Sequence, residues 1–290
     1  MIPAAFDYHA PGSLADALAL LDRHGEDAKV LSGGQSLLPL LKLRLGQAGH
    51  LVDIGRIQGL SYIKEEGGVL KIGAATTEAM LERSDLIRAK YPILLDTALV
   101  IADPLVRNRA TVGGNLAHGD PANDHPATML AVGAEVVARG PKGERVIPID
   151  QFFVALFTTA LAPNEILTEI RIPAPPPRSG GAYEKLERKV GAFATAAAAA
   201  FVVLGKNGAV ERAGIGLTNA GPMPVRAREA EEYLKGKQPD DATIAEASRL
   251  AAKAAAAGAD RRGSVEYKRE MARVMTARAL KRAVQRAGGR

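Results

Sequence analysis

The stretch Arg109-Ala-Thr-Val-Gly-Gly-Asn-Leu-Ala-His-Gly-Asp-Pro-Ala-Asn-Asp-His-Pro126 decides how this chain is read. It holds Gly113, Gly114 and Gly119, two prolines, two Asn and two Asp, and no Phe, Tyr or Trp. Such a composition predicts neither a regular helix nor a central strand. Glycines let backbone approach a ligand without a Cβ in the way. Asn115, Asp120, Asn123 and Asp124 can each bond nearby amides and fix tight turns. Free N–H groups in such turns form an anion-binding concavity that needs no Lys or Arg.

Leu31-Ser32-Gly33-Gly34-Gln35-Ser36 has the same character. It lies between the apolar runs Lys29–Leu31 and Leu37–Leu41, which predicts strand, glycine turn and helix start. A phosphate sits well against N–H groups in that setting. A lone Gly-Gly is more often a surface turn. Two such turns, each dressed with hydroxyl or amide side chains, suit a ligand with two phosphates.

Together the two stretches resemble the paired FAD pyrophosphate motifs in the medium subunits of molybdenum hydroxylases, the carbon monoxide dehydrogenase and xanthine dehydrogenase family. Ser32 to Pro39 is similar to A-G-G-[HQ]-S-L-[LI]-P, with Ser in first place. Thr111 to Asp124 is similar to T-[IVL]-G-G-N-x-A-x-[GA]-x-P-x-[AGS]-D, with Asn123 at the small-residue position. A third stretch, Lys185 to Ala194, resembles K-x-x-R-K-x-G-D-[FY]-A, with Ala192 replacing the Asp. Gln35 stands where the carbon monoxide branch commonly has His, which argues slightly against CO as substrate. Asp103 and Ala110 also differ from the family pattern.

The resemblance implies an α+β protein. Its FAD-binding domain would span 1–175, with an α/β lobe over about 1–55 and a mixed-sheet lobe over 56–175. A C-terminal domain over 176–290 would hold a three-stranded antiparallel sheet and a three-helix bundle. FAD would be bound non-covalently, there being no Cys to link it. Leu31, Ser32, Gly33, Gly34, Gln35 and Ser36 would wrap the pyrophosphate from one side. Thr111, Gly113, Gly114 and Asn115 would wrap it from the other and reach the ribityl chain. Asp124 would stand near the ribityl or ring region, unless it only caps an Asx turn. Leu161 would line the isoalloxazine and Lys185 lie beside it, with a strand-edge lysine as the plainer reading. Phe193 would cover one ring face, or belong to the core.

The same resemblance implies partners: a small subunit with two [2Fe–2S] clusters and a large subunit with the molybdenum cofactor, assembled as a dimer of heterotrimers. Electrons would reach FAD from the clusters and leave to an external acceptor. With no Cys, this chain cannot house the clusters. Two rivals stand beside this reading. One is a self-contained FAD-dependent oxidase or dehydrogenase, which needs an acid or base of its own. The other is a non-catalytic nucleotide-binding or nucleic-acid-associated module.

Composition narrows the field. The 290 residues carry a net charge of +6, unevenly spread: ten Lys or Arg against two Glu lie between Arg261 and Arg290. That basic tail falls on a helical pattern without interleaved aromatics, so a solvated helix face or a subunit rim fits better than nucleic acid. No catalytic metal or hydrolase motif is present, and His9, His24, His50, His118 and His125 are scattered. His118 and His125 could touch ligand or cap turns. Met1 to Pro11 does not read as a signal peptide, and no apolar run is long enough for a membrane span. The expected location is the cytoplasm, with the inner face of the membrane as an alternative.

Along the chain, Ser13 predicts an N-cap and Gly25 a C-terminal stop around a helix. Strands are expected at Phe6–Tyr8, Lys29–Leu31, Leu51–Ile54, Ser61–Lys64, Val69–Ile72, Glu135–Ala138, Arg145–Ile147 and Ile166–Ile172. Helices are expected at Glu78–Leu81, Asp85–Ala89, Ile93–Ile101, Thr128–Val132 and Phe152–Phe157. Pro173 to Gly181, with four prolines and two glycines, marks the domain break and should extend neither neighbour. Beyond it, Tyr183–Leu186, Ala194–Leu204 and Gly214–Thr218 read as strands. The alanine run in the second favours helix by propensity, but its Phe-Val-Val-Leu end and the Asn207-Gly208 turn favour strand. Arg226–Lys235, Asp241–Ala257 and Glu266–Ala287 read as helices.

Overall fold

A computed structural model describes residues 2–288. The first lobe runs β1 (Asp7–His9), α1 (Leu14–His24), β2 (Ala28–Leu31), α2 (Leu37–Leu43) and β3 (His50–Asp53). Its three parallel strands lie in the order β1-β3-β2. Ser13 caps α1 by accepting the Asp16 N–H at 3.1 Å. Gly25 ends it at φ +54°. Ala17 and Leu21, one helical turn apart, are wholly buried with Val52 in the core of this lobe.

The second lobe follows with β4 (Ile63–Glu66), β5 (Val69–Gly73), α3 (Glu78–Arg83), α4 (Asp85–Lys90), α5 (Pro92–Leu99), α6 (Pro104–Arg107), α7 (Val112–Ala117) and α8 (His125–Val132). Then come β6 (Glu135–Gly140), β7 (Gly143–Pro148), β8 (Phe153–Ala155), β9 (Thr158–Thr159) and β10 (Ile166–Pro173). Five strands form a sheet in the order β4-β5-β10-β6-β7, antiparallel throughout where a mixed sheet was expected.

Three further expectations fail in this lobe. Phe152–Phe157 is no helix but part of the β8–β9 hairpin. Phe157 takes the left-handed φ of +53° at its turn. The second glycine stretch does contain a helix: Thr111 caps α7 by accepting the Gly114 N–H at 3.2 Å, and both glycines lie inside it. The N-cap and the tight packing of Gly113 on Ala74 together offset the glycine penalty of about 1 kcal/mol per residue. The short helix α6, capped by Asp103, was not expected.

The remaining elements are β11 (Ser179–Leu186), β12 (Ala196–Leu204), β13 (Val210–Thr218), β14 (Val225–Arg226), α9 (Arg228–Leu234), α10 (Asp241–Ala254) and α11 (Val265–Ala287). The C-terminal sheet therefore has a fourth, two-residue strand beyond the three expected, in the order β11-β12-β13-β14. Gly180 and Gly181 are inside β11 rather than in a linker. A Cβ on Gly180 would come within 2.2 Å of the Ala283 carbonyl, so glycine there lets α11 lie against the strand.

The alanine run of β12 is strand because all nine of its residues are buried. Ala197, Ala199, Phe201 and Val203 join the large core of the second lobe, together with Ala127 and Met129 of α8. Ala198, Ala200, Val202 and Leu204 face the other way, into the core beneath α9, α10 and α11. This period of two is what a strand covered on both faces requires, and it overrides helix propensity. One sheet thus supplies a wall to both cores. The basic C-terminal helix is not merely a solvated face. Arg282 and Arg286 donate to the Asp96 carboxylate of α5 at 2.9 and 2.6 Å, and Lys268 is buried against Asp260. Arg290 lies outside the described residues.

Gly214 and Gly216 let β13 press on the backbone of α8, where a Cβ on either would lie 2.0 Å from the Ala131 or Ala127 carbonyl. Gly216→Ala should cost about 1–3 kcal/mol, the usual range for overpacking. Gly12→Ala, where a Cβ meets nothing within 4 Å, should stay within about 0.5 kcal/mol. Urea denaturation midpoints check this, and equal midpoints would refute the close approach.

Candidate functional site: two glycine loops and a buried ion pair

Where β2 ends, the chain turns through Ser32–Ser36 before α2. Gly34 sits at φ +76°, a conformation that L side chains rarely adopt. Leu31 and Leu38 pack beneath it. Among the described residues, nothing accepts a hydrogen bond from the backbone N–H groups of Ser32, Gly33, Gly34, Gln35 or Ser36. Five successive unpaired donors make a site for an anion without any cationic side chain. The Gln35 side chain is exposed and reaches only the Gly33 carbonyl, at 3.5 Å.

The second loop lies directly against the first. The Ser32 and Thr111 hydroxyls are 3.0 Å apart. A Cβ on Gly33 would come within 2.2 Å of the Arg109 carbonyl. The N–H groups of Val112, Gly113, Gly114 and Asn115, however, are all satisfied within the protein, by Thr76, Ala74 and Thr111. The two loops are therefore not equivalent. The first presents free donors, whereas the second presents side chains and a tightly held backbone. Asn115 offers a buried Oδ1 with no partner, and Asn123 holds the Asn115 carbonyl through its Nδ2 at 2.8 Å.

Below this runs a polar network. Asp124 accepts from the Lys185 ammonium at 2.9 Å and from the Tyr183 hydroxyl at 2.6 Å. Lys185 also donates to the Val100 carbonyl at 2.9 Å. The Asp124 and Lys185 side chains are 7% and 2% exposed. Burial holds the Asp124 carboxyl above its ordinary pKa, against the opposing pull of Lys185 and Tyr183. Burial and the neighbouring Asp124 push the Tyr183 hydroxyl well up, so it stays a donor. Asp124 does not cap its helix, so the Asx-turn reading fails. Lys185 lies on the edge strand β11, but its ammonium is turned inward and buried on Asp124 rather than solvated.

Ser32, Gly33, Thr111, Gly114, Asn115, Asp124 and Lys185 thus lie along one connected wall. Leu161 packs against the large core just after the β8–β9 hairpin, which touches the second loop where Phe157 donates to the Gly119 carbonyl. Phe193 is 46% exposed and belongs to no core cluster, so the core reading of it fails. His118 is held below its ordinary pKa by burial, and its ring lies 5.3 Å from that of Phe157. His125 is fully buried and bonds Glu78 at 2.8 Å, beneath the site rather than in it.

Sequence reasoning missed Tyr183 and Asn123 as site residues. Strand alternation contained one signal, since positions 183 and 185 share a face. Asn123 is also the departure from the motif's small-residue position, and its amide has a structural task. An open cleft of about 520 Å³ elsewhere, lined by Leu14, Gln58, Tyr62, Arg139 and Arg171 among others, shares no residue with this wall.

Unpaired donors at a glycine turn, an abutting capped loop and an orphaned amide oxygen fit a dinucleotide with phosphates and hydroxyls. The chain belongs to the family of FAD-binding subunits of molybdenum hydroxylases. Residues 4–175 match the family described as the FAD binding domain in molybdopterin dehydrogenase, and residues 181–283 the CO dehydrogenase flavoprotein C-terminal domain. The carbon monoxide dehydrogenase medium chain of Afipia carboxidovorans is 47% identical over 287 residues, covering 99% of each chain. That of Hydrogenophaga pseudoflava is 48% identical over 285 residues, covering 97% of each. A solved structure of carbon monoxide dehydrogenase from Oligotropha carboxidovorans superposes with a TM-score of 0.96 at 47% identity, over 99% of this chain and 100% of that one.

Removing one partner of the buried pair strands a charge. Lys185→Met should cost about 3–5 kcal/mol in urea denaturation of the flavin-free chain, and Lys185→Met/Asp124→Asn should recover part of it. A loss below about 1 kcal/mol for Lys185→Met would show that the pair is hydrated.

Proposed function

We propose that this chain is the FAD-carrying electron-transfer subunit of a heteromeric molybdenum hydroxylase. The observation that carries this is the abutment of two glycine loops, one lined with five unpaired N–H groups. Leu31 to Ser36 would receive the diphosphate on those donors. Thr111, Gly113, Gly114 and Asn115 would close the other side, with the orphaned Asn115 oxygen accepting from a ribityl hydroxyl. Asp124, held by Tyr183 and Lys185, would fix the polar edge of the ring site. Leu161 and Phe193 would supply apolar surface to the ring. Bound FAD supplies the redox chemistry, taking electrons one at a time and delivering two. The protein's own part is to hold it, shield it and keep nearby protons in place.

The organic or CO substrate is oxidised on a partner in this reading. A partner with two [2Fe–2S] clusters feeds the flavin, a larger partner carries the molybdenum cofactor, and the three assemble as a dimer of heterotrimers. Electrons leave to an external acceptor. A cytoplasmic complex fits this reading, and no described helix is long and apolar enough to cross a membrane. Identities of 47–48% to two CO dehydrogenase medium chains, against 33% to caffeine dehydrogenase subunit beta of a Pseudomonas species, favour a CO-type complex over the small contrary weight of Gln35. The self-contained oxidase is less well supported: Asp124, Lys185, Tyr183 and His125 already engage one another or Glu78.

The isolated, FAD-loaded chain should pass electrons from reduced flavin to an artificial acceptor and oxidise none of the complex's substrate. Reconstitution with the iron–sulfur and molybdenum subunits should restore turnover. Steady-state assays decide it: substrate oxidation by the isolated chain at the rate of the complex would overturn the assignment.

A further inference from the structure

The first lobe carries three of the chain's five histidines and brings them together. His9 ends β1, His24 ends α1 and His50 opens β3. His9 Nε2 lies 3.1 Å from His50 Nδ1. The His24 ring stacks on that of His50 with centroids 3.6 Å apart. One ligating nitrogen from each residue falls within 4.8 Å of the others. Two carboxylates stand at the rim: Asp7 Oδ2 is 3.7 Å and Asp27 Oδ2 4.0 Å from ring nitrogens of His50.

The frame around the trio is fixed. Asp7 is paired with His50 across the parallel strands β1 and β3. Asp27 accepts the Gly49 N–H at 2.9 Å, and a Cβ on Gly49 would meet its carboxylate at 2.1 Å. Ala28 of β2 pairs with His50, so the cluster sits at the end of the sheet opposite Ser32, about four residues of ~3.3 Å rise away. The flavin cradle makes no use of it.

We propose that His9, His24 and His50 form a binding site for a divalent transition-metal ion, with Zn²⁺ the best match. Imidazole nitrogens suit Zn²⁺, Cu²⁺ and Ni²⁺. Zn–N bonds of about 2.0–2.1 Å in tetrahedral geometry put ligand nitrogens roughly 3.3 Å apart. The His9–His50 pair is already near that spacing. His24 lies on the end of α1 rather than in a strand and is already within 4.8 Å of the other two, so closing the site asks its ring to leave the stack on His50. Asp7, on the same ring nitrogen of His50, or water completes the fourth position.

The test uses the untagged full chain with its flavin, stripped with chelator and titrated with Co²⁺ and then Zn²⁺. The expected result is one equivalent bound per chain, with the intense visible band of four-coordinate Co²⁺ in the difference spectrum and its loss on adding Zn²⁺. His24→Gln and His50→Gln should each weaken binding at least about tenfold and leave flavin content unchanged. His24 is at a helix end, so its variant carries the test if His50→Gln fails to fold. Absence of the band in the parent chain, or a band of equal affinity in folded His24→Gln, would overturn the site.

Discussion

Gly33 lies against the peptide joining Arg109 and Ala110 so closely that even a methyl group has no place. This contact holds two segments nearly 80 residues apart in one wall, and most features of the site depend on it. It sets the Ser32 and Thr111 hydroxyls within bonding distance. Beside it, the N–H groups of Ser32–Ser36 donate to no acceptor among the described residues. The loop is part-exposed, so these donors are open to water or to an anionic ligand, and a run of five converging on one turn suits an anion.

The second constraint is the shared sheet. β12 buries alternate alanines in two different cores, and small side chains let α8 and α11 approach on either face. The C-terminal region is therefore packed into the first region rather than tethered to it. Lys185 on β11 can meet Asp124 beside the glycine loops only because of that packing, and Arg282 and Arg286 reinforce it through Asp96. A ligand held by both regions would feel any loosening between them, which gives the Asp96 cluster, bonded to the Tyr183 N–H at 3.4 Å, a bearing on the cradle.

Much of this was legible in the sequence because the signals were local. Ser13 and Gly25 bracket a helix by capping chemistry. The hairpin signal at Asn207-Gly208 corresponds to a positive-φ glycine, Gly208. The glycine stretches announced a cradle by composition. What was not legible depends on contacts made at a distance. Phe152–Phe157 has helical spacing, but Phe157 is turned by the hairpin that meets Gly119. The helix through Gly113 and Gly114 exists because Thr111 caps it and Ala74 leaves space only for glycine. The inequality of the loops was also hidden, since both read as donor-rich until Thr76 and Ala74 were seen to accept the N–H groups of Val112 and Gly113. Tyr183 looked like any strand residue until its hydroxyl was found on Asp124.

The claim at the centre of this account is that the meeting of the two loops creates the flavin site. Flavin content of Gly33→Ala, measured by releasing and quantifying the cofactor from purified protein, tests it most directly. The account predicts FAD retention weakened by about fivefold or more, the extent expected when overpacking of about 1–3 kcal/mol spreads the loops, with near-parental circular dichroism and released cofactor that is FAD. Gly46→Ala, where a Cβ meets nothing within 4 Å, should keep its flavin. Parental FAD content in a folded Gly33→Ala chain would contradict the account.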